Sequence, residues 1–100
     1  MSTKNQPHKQ LRMNIEQLAK LSGFDHVYFT WDSRHSPAGF PDMILLKEGR
    51  MIVCELKAGR DNLSPEQYFW LMEFTKVTPE VYVWWPEDWD EIVEVITKGR

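Results

Sequence analysis

The chain has 100 residues, of which 42% are hydrophobic and 13% aromatic, and its formal net charge is −3 at pH 7. These values indicate a single globular domain, residues 1–100, that is large enough to bury a core. No apolar run approaches the roughly 18 residues of a membrane-spanning helix, and the chain begins with polar residues, which argues against membrane insertion and secretion. The single cysteine, Cys54, cannot form an internal disulfide, and we therefore expect a cytoplasmic protein.

The negative charge is unevenly distributed along the chain. Residues 1–76 hold 10 Lys/Arg and 9 Asp/Glu, whereas residues 77–100 hold 2 and 6. A polyanionic partner would therefore contact the first three quarters of the chain, with the acidic C-terminal part facing away from it. The charge pattern permits nucleic-acid binding but does not by itself require it.

Residues 1–7 are polar and are expected to be disordered. Residues 8–22 predict an amphipathic helix that ends near Gly23, because apolar residues recur three and four positions apart. The residues of this apolar stripe are Leu11, Ile15, Leu18 and Ala19. Glu16 lies off the stripe, and a solvated carboxylate is favoured there over a ligand.

Residues 26–31 are rich in β-branched and aromatic side chains, which predicts a strand. The polar loop that follows, residues 32–40, carries Arg34 and His35 just ahead of Asp42 in the chain. Both side chains could bind a phosphate group through charge-assisted hydrogen bonds. A solvated loop without this role is the alternative, and the sequence leaves the two open.

Two apolar runs of strand length, residues 42–46 and 51–57, are separated by a turn signal. Gly49 supplies the positive φ that a two-residue hairpin loop needs, with Glu48 as the other loop residue. Both faces of the hairpin are apolar except at the end away from this loop. A sheet of this kind requires helices on both of its faces.

In this register Asp42 faces Glu55, with Cβ atoms about 4.5–5.5 Å apart, and Lys57 shares their face. Two ionised carboxylates at that distance destabilise a sheet unless a cation lies between them, and Mg²⁺ prefers oxygen ligands of this kind. The hairpin therefore predicts a divalent-cation site with a lysine beside it. The alternative is an ion pair of Lys57 with Glu55 at the rim of an ordinary sheet.

A second helix is predicted over residues 65–76. Ser64 is its N-cap, a proline follows at the first helical position, and Gln67 completes a capping box. One face of this helix carries Tyr68, Leu71, Met72 and Thr75. Trp70 and Phe74 stand on another side, where additional core is favoured over a dimer surface. Gln67 either caps the helix alone or also contacts a substrate.

Residues 80–85 predict a strand that is reached through a helix, and hence one parallel to the preceding strand. Pro86 then opens a short acidic helix whose apolar residues recur at helical spacing. The predicted fold is α/β: helix, three strands, helix, strand and a short C-terminal helix, with a mixed sheet covered by helices on both faces.

This order of elements, with Pro41-Asp42 opening one strand and Glu55-Leu56-Lys57 closing the next, resembles the PD-(D/E)xK nuclease superfamily and its restriction-endonuclease-like core. More narrowly, residues 32–42, the Glu55-Leu56-Lys57 triplet and residues 64–67 resemble the VRR-NUC family. The resemblance extends over residues 8–96, and it is specific because the three blocks occur in order at these spacings.

The resemblance implies that Asp42 and Glu55 bind Mg²⁺ or Mn²⁺, with the backbone carbonyl of Leu56 as a further ligand. It also implies that Lys57 positions or activates the attacking water. Members of the family carry an acidic residue on the first helix, followed by a glutamine. The corresponding region here, residues 8–12, contains no acidic residue, and Glu16 is the only acid on that helix.

The implied activity is that of a metal-dependent DNA endonuclease that prefers branched DNA, such as a Holliday junction, and works as a homodimer. Stand-alone members are often phage proteins, for which the site of action would be the host cytoplasm. Arg34, His35 and Gln67 are the expected substrate contacts. Two alternatives stay open: a DNA-binding module with a weak or silent metal site, and a protein-interaction domain built on the aromatic helix and Trp84-Trp85.

Overall fold

The computed structural model describes residues 6–30 and 36–98. The elements follow in the predicted order: helix α1 (Gln6–Leu21), strands β1 (His26–Phe29), β2 (Met43–Lys47) and β3 (Arg50–Leu56), helix α2 (Pro65–Phe74), strand β4 (Val81–Trp84), a short 3₁₀ helix (Pro86–Asp88) and helix α3 (Trp89–Thr97). Helix α1 begins at Gln6, so Gln6 and Pro7 are helical, although residues 1–7 were expected to be disordered. No helix in the described part of the chain combines the length and apolarity that crossing a membrane requires.

The four strands form one mixed sheet in the order β1-β2-β3-β4. Strand β2 pairs antiparallel with both of its neighbours, whereas β3 and β4 are parallel, as predicted for a connection through a helix. The predicted hairpin register is confirmed, because Met43 pairs with Cys54 and Lys47 with Arg50. Glu48 and Gly49 both have positive φ, 41° and 82°, as the loop of a tight hairpin requires.

One face of the sheet forms the main hydrophobic core. Helices α1 and α3 cover this face and contact each other. The core residues from the sheet are Met43, Leu45, Ile52, Cys54, Leu56 and Trp84, and those from the two helices are Leu11, Ile15, Ala19, Ile92 and Ile96. The predicted stripe of α1 is therefore the side of the helix that docks on the sheet, which brings the first turn of α1 to one end of β3.

Helix α2 lies on the opposite face and covers it only in part. Tyr28 and Leu46, on strands β1 and β2, remain 49% and 38% exposed. Within α2, Leu71 is buried, but Tyr68 and Met72 are 57% and 46% exposed. The sequence places Tyr68, Leu71, Met72 and Thr75 along one face of α2, and of these only Leu71 is buried, because α2 contacts the sheet along a narrower stripe.

The loop before β2 packs closely against α2. Phe40 makes edge-to-face contacts with Trp70 and Phe74, with ring centroids 5.2 and 5.9 Å apart. These aromatic residues are half-buried, which agrees with the assignment of Trp70 and Phe74 to additional core. Gly39 permits the approach: its φ is 82°, and an added Cβ would lie 2.5 Å from the carbonyl carbon of Glu66.

Candidate active site

The site lies where β2 begins and β3 ends, at the end of the hairpin away from its loop. Glu55 and Lys57 are 2% and 7% exposed, which is unusual for charged residues and requires polar partners. Asp42 comes directly before β2, and its Oδ2 accepts a hydrogen bond of 2.8 Å from the backbone N–H of Leu56. This bond holds the Asp42 carboxylate against the end of β3, beside Glu55.

The backbone at Asp42 is anchored from the neighbouring strand. Thr30 donates its N–H to the Asp42 carbonyl at 2.8 Å and its hydroxyl to the Pro41 carbonyl at 2.9 Å. Pro41 is itself buried. The Pro41-Asp42 pair is therefore fixed on both sides. Thr30, directly after β1, holds its backbone carbonyls, and the Leu56 N–H of β3 holds the Asp42 carboxylate.

Gln67 connects Glu55 and Lys57 to the start of α2. Its Oε1 accepts hydrogen bonds from Lys57 Nζ at 2.8 Å and from the Ser64 N–H at 2.9 Å, and its Nε2 donates to Glu55 Oε2 at 2.9 Å. The predicted capping box is confirmed, with Gln67 N–H bonded to the Ser64 hydroxyl at 3.1 Å. One amide thus caps the helix and orients both charged residues, so the predicted capping role and a role in the site are combined in one side chain.

The carboxylate of Glu55 is only partly satisfied. Its Oε2 is bonded to Gln67 and lies 3.5 Å from Lys57 Nζ, but its Oε1 is buried without a hydrogen-bond partner among the described residues. Burial, followed by the nearby charge of Asp42, raises the pKa of Glu55 to about 7. The carboxylates of Asp42 and Glu55 therefore repel each other, as the hairpin register predicts.

His8, in the first turns of α1, is a site residue that the sequence prediction did not include. Its Nε2 lies 3.5 Å from Asp42 Oδ2. The hydrogen bond to Asp42 raises the pKa of His8, while burial opposes that change. The apolar stripe of α1 could have indicated this position, because His8 lies three residues before Leu11 on the same helical face.

The donor set suits a divalent cation. Two carboxylates, one of them with a buried oxygen that has no hydrogen-bond partner in the described part of the chain, lie at the strand end formed by Leu56, and oxygen donors of this type bind Mg²⁺ and Mn²⁺. No three His, Cys, Asp or Glu side chains within residues 6–30 and 36–98 are arranged closely enough to hold an ion by themselves. Asp42 and Glu55 would therefore need a further donor, such as the Leu56 carbonyl, to hold an ion.

The remaining sequence-predicted residues fall outside this cluster. Glu16 pairs with Lys20 at 3.0 Å on the surface of α1, which confirms its interpretation as a solvated carboxylate. Arg34 and His35 lie outside the described residues, and their proposed phosphate contacts stay predictions. Cys54 is buried in the core on the opposite face from Glu55, and burial raises the pKa of its thiol well above the usual range.

A cleft of about 850 Å³ adjoins the site, between the start of α1 and the loop after β3. The residues that line it are Pro7, His8, Lys9, Arg12, Ala58, Gly59 and Asp61. Arg12 is held with its guanidinium 4.2 Å above the ring of Phe29. The cleft therefore presents the basic side chains of Lys9 and Arg12 together with His8, which contacts Asp42, and this is a suitable environment for a phosphate backbone.

A mixed four-stranded sheet that places an aspartate, a glutamate and a lysine at the end of its central hairpin is the architecture of a PD-(D/E)xK nuclease. The VRR-NUC domain profile matches residues 3–85 of the chain. The chain therefore belongs to the VRR-NUC family, a nuclease family of the PD-(D/E)xK type. No curated protein sequence and no solved structure matches the chain at a significant level.

Proposed function

We propose that this nuclease is a metal-dependent DNA endonuclease in which Asp42, Glu55 and the Leu56 carbonyl hold Mg²⁺ or Mn²⁺. The observation that carries the proposal is the Oε1 of Glu55, which is buried beside Asp42 and Lys57 and has no hydrogen-bond partner within residues 6–30 and 36–98. A buried carboxylate oxygen without a hydrogen-bond donor destabilises the metal-free protein. A cation bound at this position would compensate that oxygen, which explains why the site contains it. When bound, such a cation lowers the pKa of a ligated water and offsets negative charge that develops on the phosphate.

Lys57 is the residue that we assign to the attacking water and the scissile phosphate. Its ammonium group has three N–H donors, of which one is bonded to Gln67 and a second points to Glu55. The third donor is available to orient water or to stabilise a phosphate oxygen as charge builds on it. Because Lys57 is held by two partners, this donor is positioned before the substrate binds.

Gln67 is, on this proposal, a positioning residue. Its amide oxygen and nitrogen are engaged with Lys57, Ser64 and Glu55, so it acts on the reaction through the two charged residues. A direct substrate contact by Gln67 is the less favoured role for the same reason. Arg34 and His35 are proposed to contact DNA phosphates.

We propose the preferred DNA and the oligomeric state from the family resemblance, together with the exposed residues of α2 and the basic cleft. We expect a preference for branched DNA and a homodimer, since a symmetric dimer presents two sites to two strands. Tyr68, Phe69 and Met72 on α2 are 57%, 58% and 46% exposed, which supplies an apolar surface that a second subunit could cover. Basic side chains in the cleft, Lys9 and Arg12, would contact phosphates and not bases, which suits recognition of DNA shape rather than sequence.

A DNA-binding module with a silent metal site is the second candidate. The observation in its favour is the contact of His8 with Asp42, which occupies a carboxylate oxygen of the site with an internal partner. On this alternative the protein binds the same DNA without hydrolysing it.

Cleavage of matched linear, flap and four-way-junction DNA tests the proposal. Assays in Mg²⁺, Mn²⁺ or EDTA compare the wild type with Glu55→Gln, and with Glu73→Gln as a control on an exposed residue of α2 that pairs with Lys76. Metal-dependent cutting by the wild type and Glu73→Gln, but not by Glu55→Gln, supports the endonuclease. Binding of junction DNA without cutting in either metal supports the silent module instead.

A further inference from the structure

Arg12, which lines the basic cleft from helix α1, carries a buried hydrogen-bond donor. Its Nε is buried and has no hydrogen-bond partner within residues 6–30 and 36–98, and no ion pair among those residues includes its guanidinium. A buried N–H without a partner is uncommon in proteins and lowers their stability, and the loss is larger for a charged group. An acceptor supplied by a ligand in the cleft would remove that loss.

The guanidinium of Arg12 is held in a defined orientation. It lies over the ring of Phe29, 4.2 Å from the ring centroid, and Phe29 itself packs against the hydrophobic core. A guanidinium that stacks on an aromatic face keeps its edge, which bears the N–H groups, available for hydrogen bonds. Arg12 is therefore oriented before a ligand binds, which reduces the entropy lost on binding.

Two contacts place Arg12 beside the candidate active site. Arg12 follows His8 by four residues and so lies on the same side of α1, and His8 contacts Asp42. Phe29, on which the guanidinium stacks, pairs with Met43, the residue directly after Asp42. The donor edge of Arg12 is thus about one helical turn from the residue that touches the site.

A backbone phosphate of DNA is the ligand that suits this group. A guanidinium binds phosphate oxygens in a bidentate manner through paired N–H donors, which gives a fixed geometry as well as charge. Lys9, exposed at the same cleft, supplies a second positive charge on a flexible stem. A structural role as a cover for Phe29 would need only the apolar stem of Arg12, and it leaves the buried Nε unexplained.

We propose that Arg12 is a substrate-binding residue that anchors one backbone phosphate of the bound DNA beside the metal site. The inference rests on the proposed function and adds to it a phosphate subsite with one defined donor group, to which Lys9 contributes charge only. Residues four apart on a helix are separated by about 5–6 Å, and the phosphates of one strand follow each other about every 3.4 Å along DNA. With the 3.5 Å contact of His8 to Asp42, the anchored phosphate should lie within about three nucleotides of the cut.

Methylphosphonate substitution tests the subsite, because it removes the charge and one oxygen of a single phosphate. Binding of the full chain to linear and four-way-junction DNA is measured in Ca²⁺, with the substitution moved along each strand. The variants are Arg12→Gln and, as a matched control, Lys20→Gln, which changes an exposed cation of α1 that pairs with Glu16. At one linkage near the cut, the substitution should weaken binding about 10-fold for the wild type and Lys20→Gln, but less than about 3-fold for Arg12→Gln, since the charged hydrogen bond is already lost.

Arg12→Lys separates the paired donors from the charge. Lysine keeps the positive charge and most of the apolar stem but lacks the Nε–H, so this variant should retain the salt dependence of binding and lose the sensitivity to that linkage. Arg12→Gln should reduce the slope of log affinity against log salt concentration by about 0.7–0.9, the value for one phosphate contact. Because Arg12→Lys preserves the stem on Phe29, it also provides the test if Arg12→Gln does not fold.

Two results would overturn the proposal. Methylphosphonate penalties that are equal at every linkage in the wild type and in folded Arg12→Gln or Arg12→Lys would leave Arg12 as a structural cover of Phe29. A penalty that depends on Arg12 only at linkages more than about three nucleotides from the cut would reject its placement beside the site.

Failure of the proposed function gives a different result. If one linkage depends on Arg12 but the wild type cuts DNA in neither Mg²⁺ nor Mn²⁺, the endonuclease is rejected and the phosphate subsite is retained. If the wild type binds neither linear nor junction DNA at low salt, the proposed function and the subsite are both wrong.

Discussion

Glu55→Gln should stabilise the metal-free protein at neutral and alkaline pH. The variant keeps the shape of the side chain and an oxygen that can accept the hydrogen bond from Gln67, but it removes a buried negative charge that faces Asp42. Glu55 is 2% exposed and its Oε1 has no hydrogen-bond partner among the described residues, so Gln67 and Lys57, which both contact Oε2, compensate the ionised form only in part.

The size of the effect follows from the pKa. The pKa of Glu55 is raised from 4.5 to about 7 in the folded protein. Each pKa unit corresponds to about 1.4 kcal/mol, so ionisation of Glu55 destabilises the folded state by about 3 kcal/mol at most. Because the folded pKa is the higher one, this penalty is absent below pH 4.5, grows as the pH rises, and is complete only above pH 7.

Urea unfolding monitored by tryptophan fluorescence measures the prediction in EDTA at pH 5 and pH 8. The difference in unfolding free energy between Glu55→Gln and the wild type should increase by about 2 kcal/mol between these two values. The pKa of His8 is raised in both proteins mainly by Asp42, and Glu55 makes the smallest contribution to that rise, so His8 adds little to the difference. Glu73→Gln, which changes an exposed carboxylate, should show no such pH dependence.

Two results would contradict this reasoning. If the difference in unfolding free energy between Glu55→Gln and the wild type is the same at pH 5 and pH 8, ionisation of Glu55 does not destabilise the folded state. An ion that binds the native state raises its unfolding free energy, and it should do so more in the wild type if Glu55 is a ligand. An equal rise in the unfolding free energy of the wild type and Glu55→Gln at saturating Mn²⁺ would therefore show that Glu55 does not bind the ion.

Three further predictions concern the groups around Glu55. Lys57→Ala should reduce DNA cleavage at least about 100-fold, as loss of a charge-stabilising donor does in other enzymes, while gel-shift affinity in Ca²⁺ stays unchanged; parallel loss of binding and cleavage would argue for a simple DNA contact. Gln67→Ala should lower the unfolding free energy by about 1 kcal/mol through the lost cap, and lower kcat without raising KM, whereas a raised KM would indicate direct substrate binding. Gly39→Ala should lower the melting temperature by several degrees, because its Cβ would lie 2.5 Å from the Glu66 backbone; an unchanged melting temperature would mean that the loop can retreat from α2 without loss.

The hairpin shows how much of the site the local sequence could predict. Apolar runs of strand length and the Glu48-Gly49 turn determine a register that depends only on neighbouring residues, and the observed pairing of β2 with β3 follows it. From that register alone, Asp42, Glu55 and Lys57 come to one end of the sheet. The capping box at Ser64 and Gln67 was predictable for the same reason, since all of its contacts lie within four residues.

The packing of α2 shows where local patterns were insufficient. The sequence places Tyr68, Leu71, Met72 and Thr75 along one face of α2, yet of these only Leu71 is buried. The helix is apolar on more than one side, and helical periodicity cannot decide which side contacts the sheet when several are possible. The close approach of Gly39 and Phe40 to the helix settles that choice through contacts between segments distant in sequence.

The sequence by itself determined the order of the elements, the hairpin register and the identity of the acidic pair with its lysine, because each depends on spacing within a short segment. Only the tertiary structure brought His8 to Asp42 and joined Gln67 to both Glu55 and Lys57. Those contacts depend on how α1 and α2 dock on the two faces of the sheet. Docking is decided by the packing of whole surfaces, which no spacing within a single helix or strand can specify.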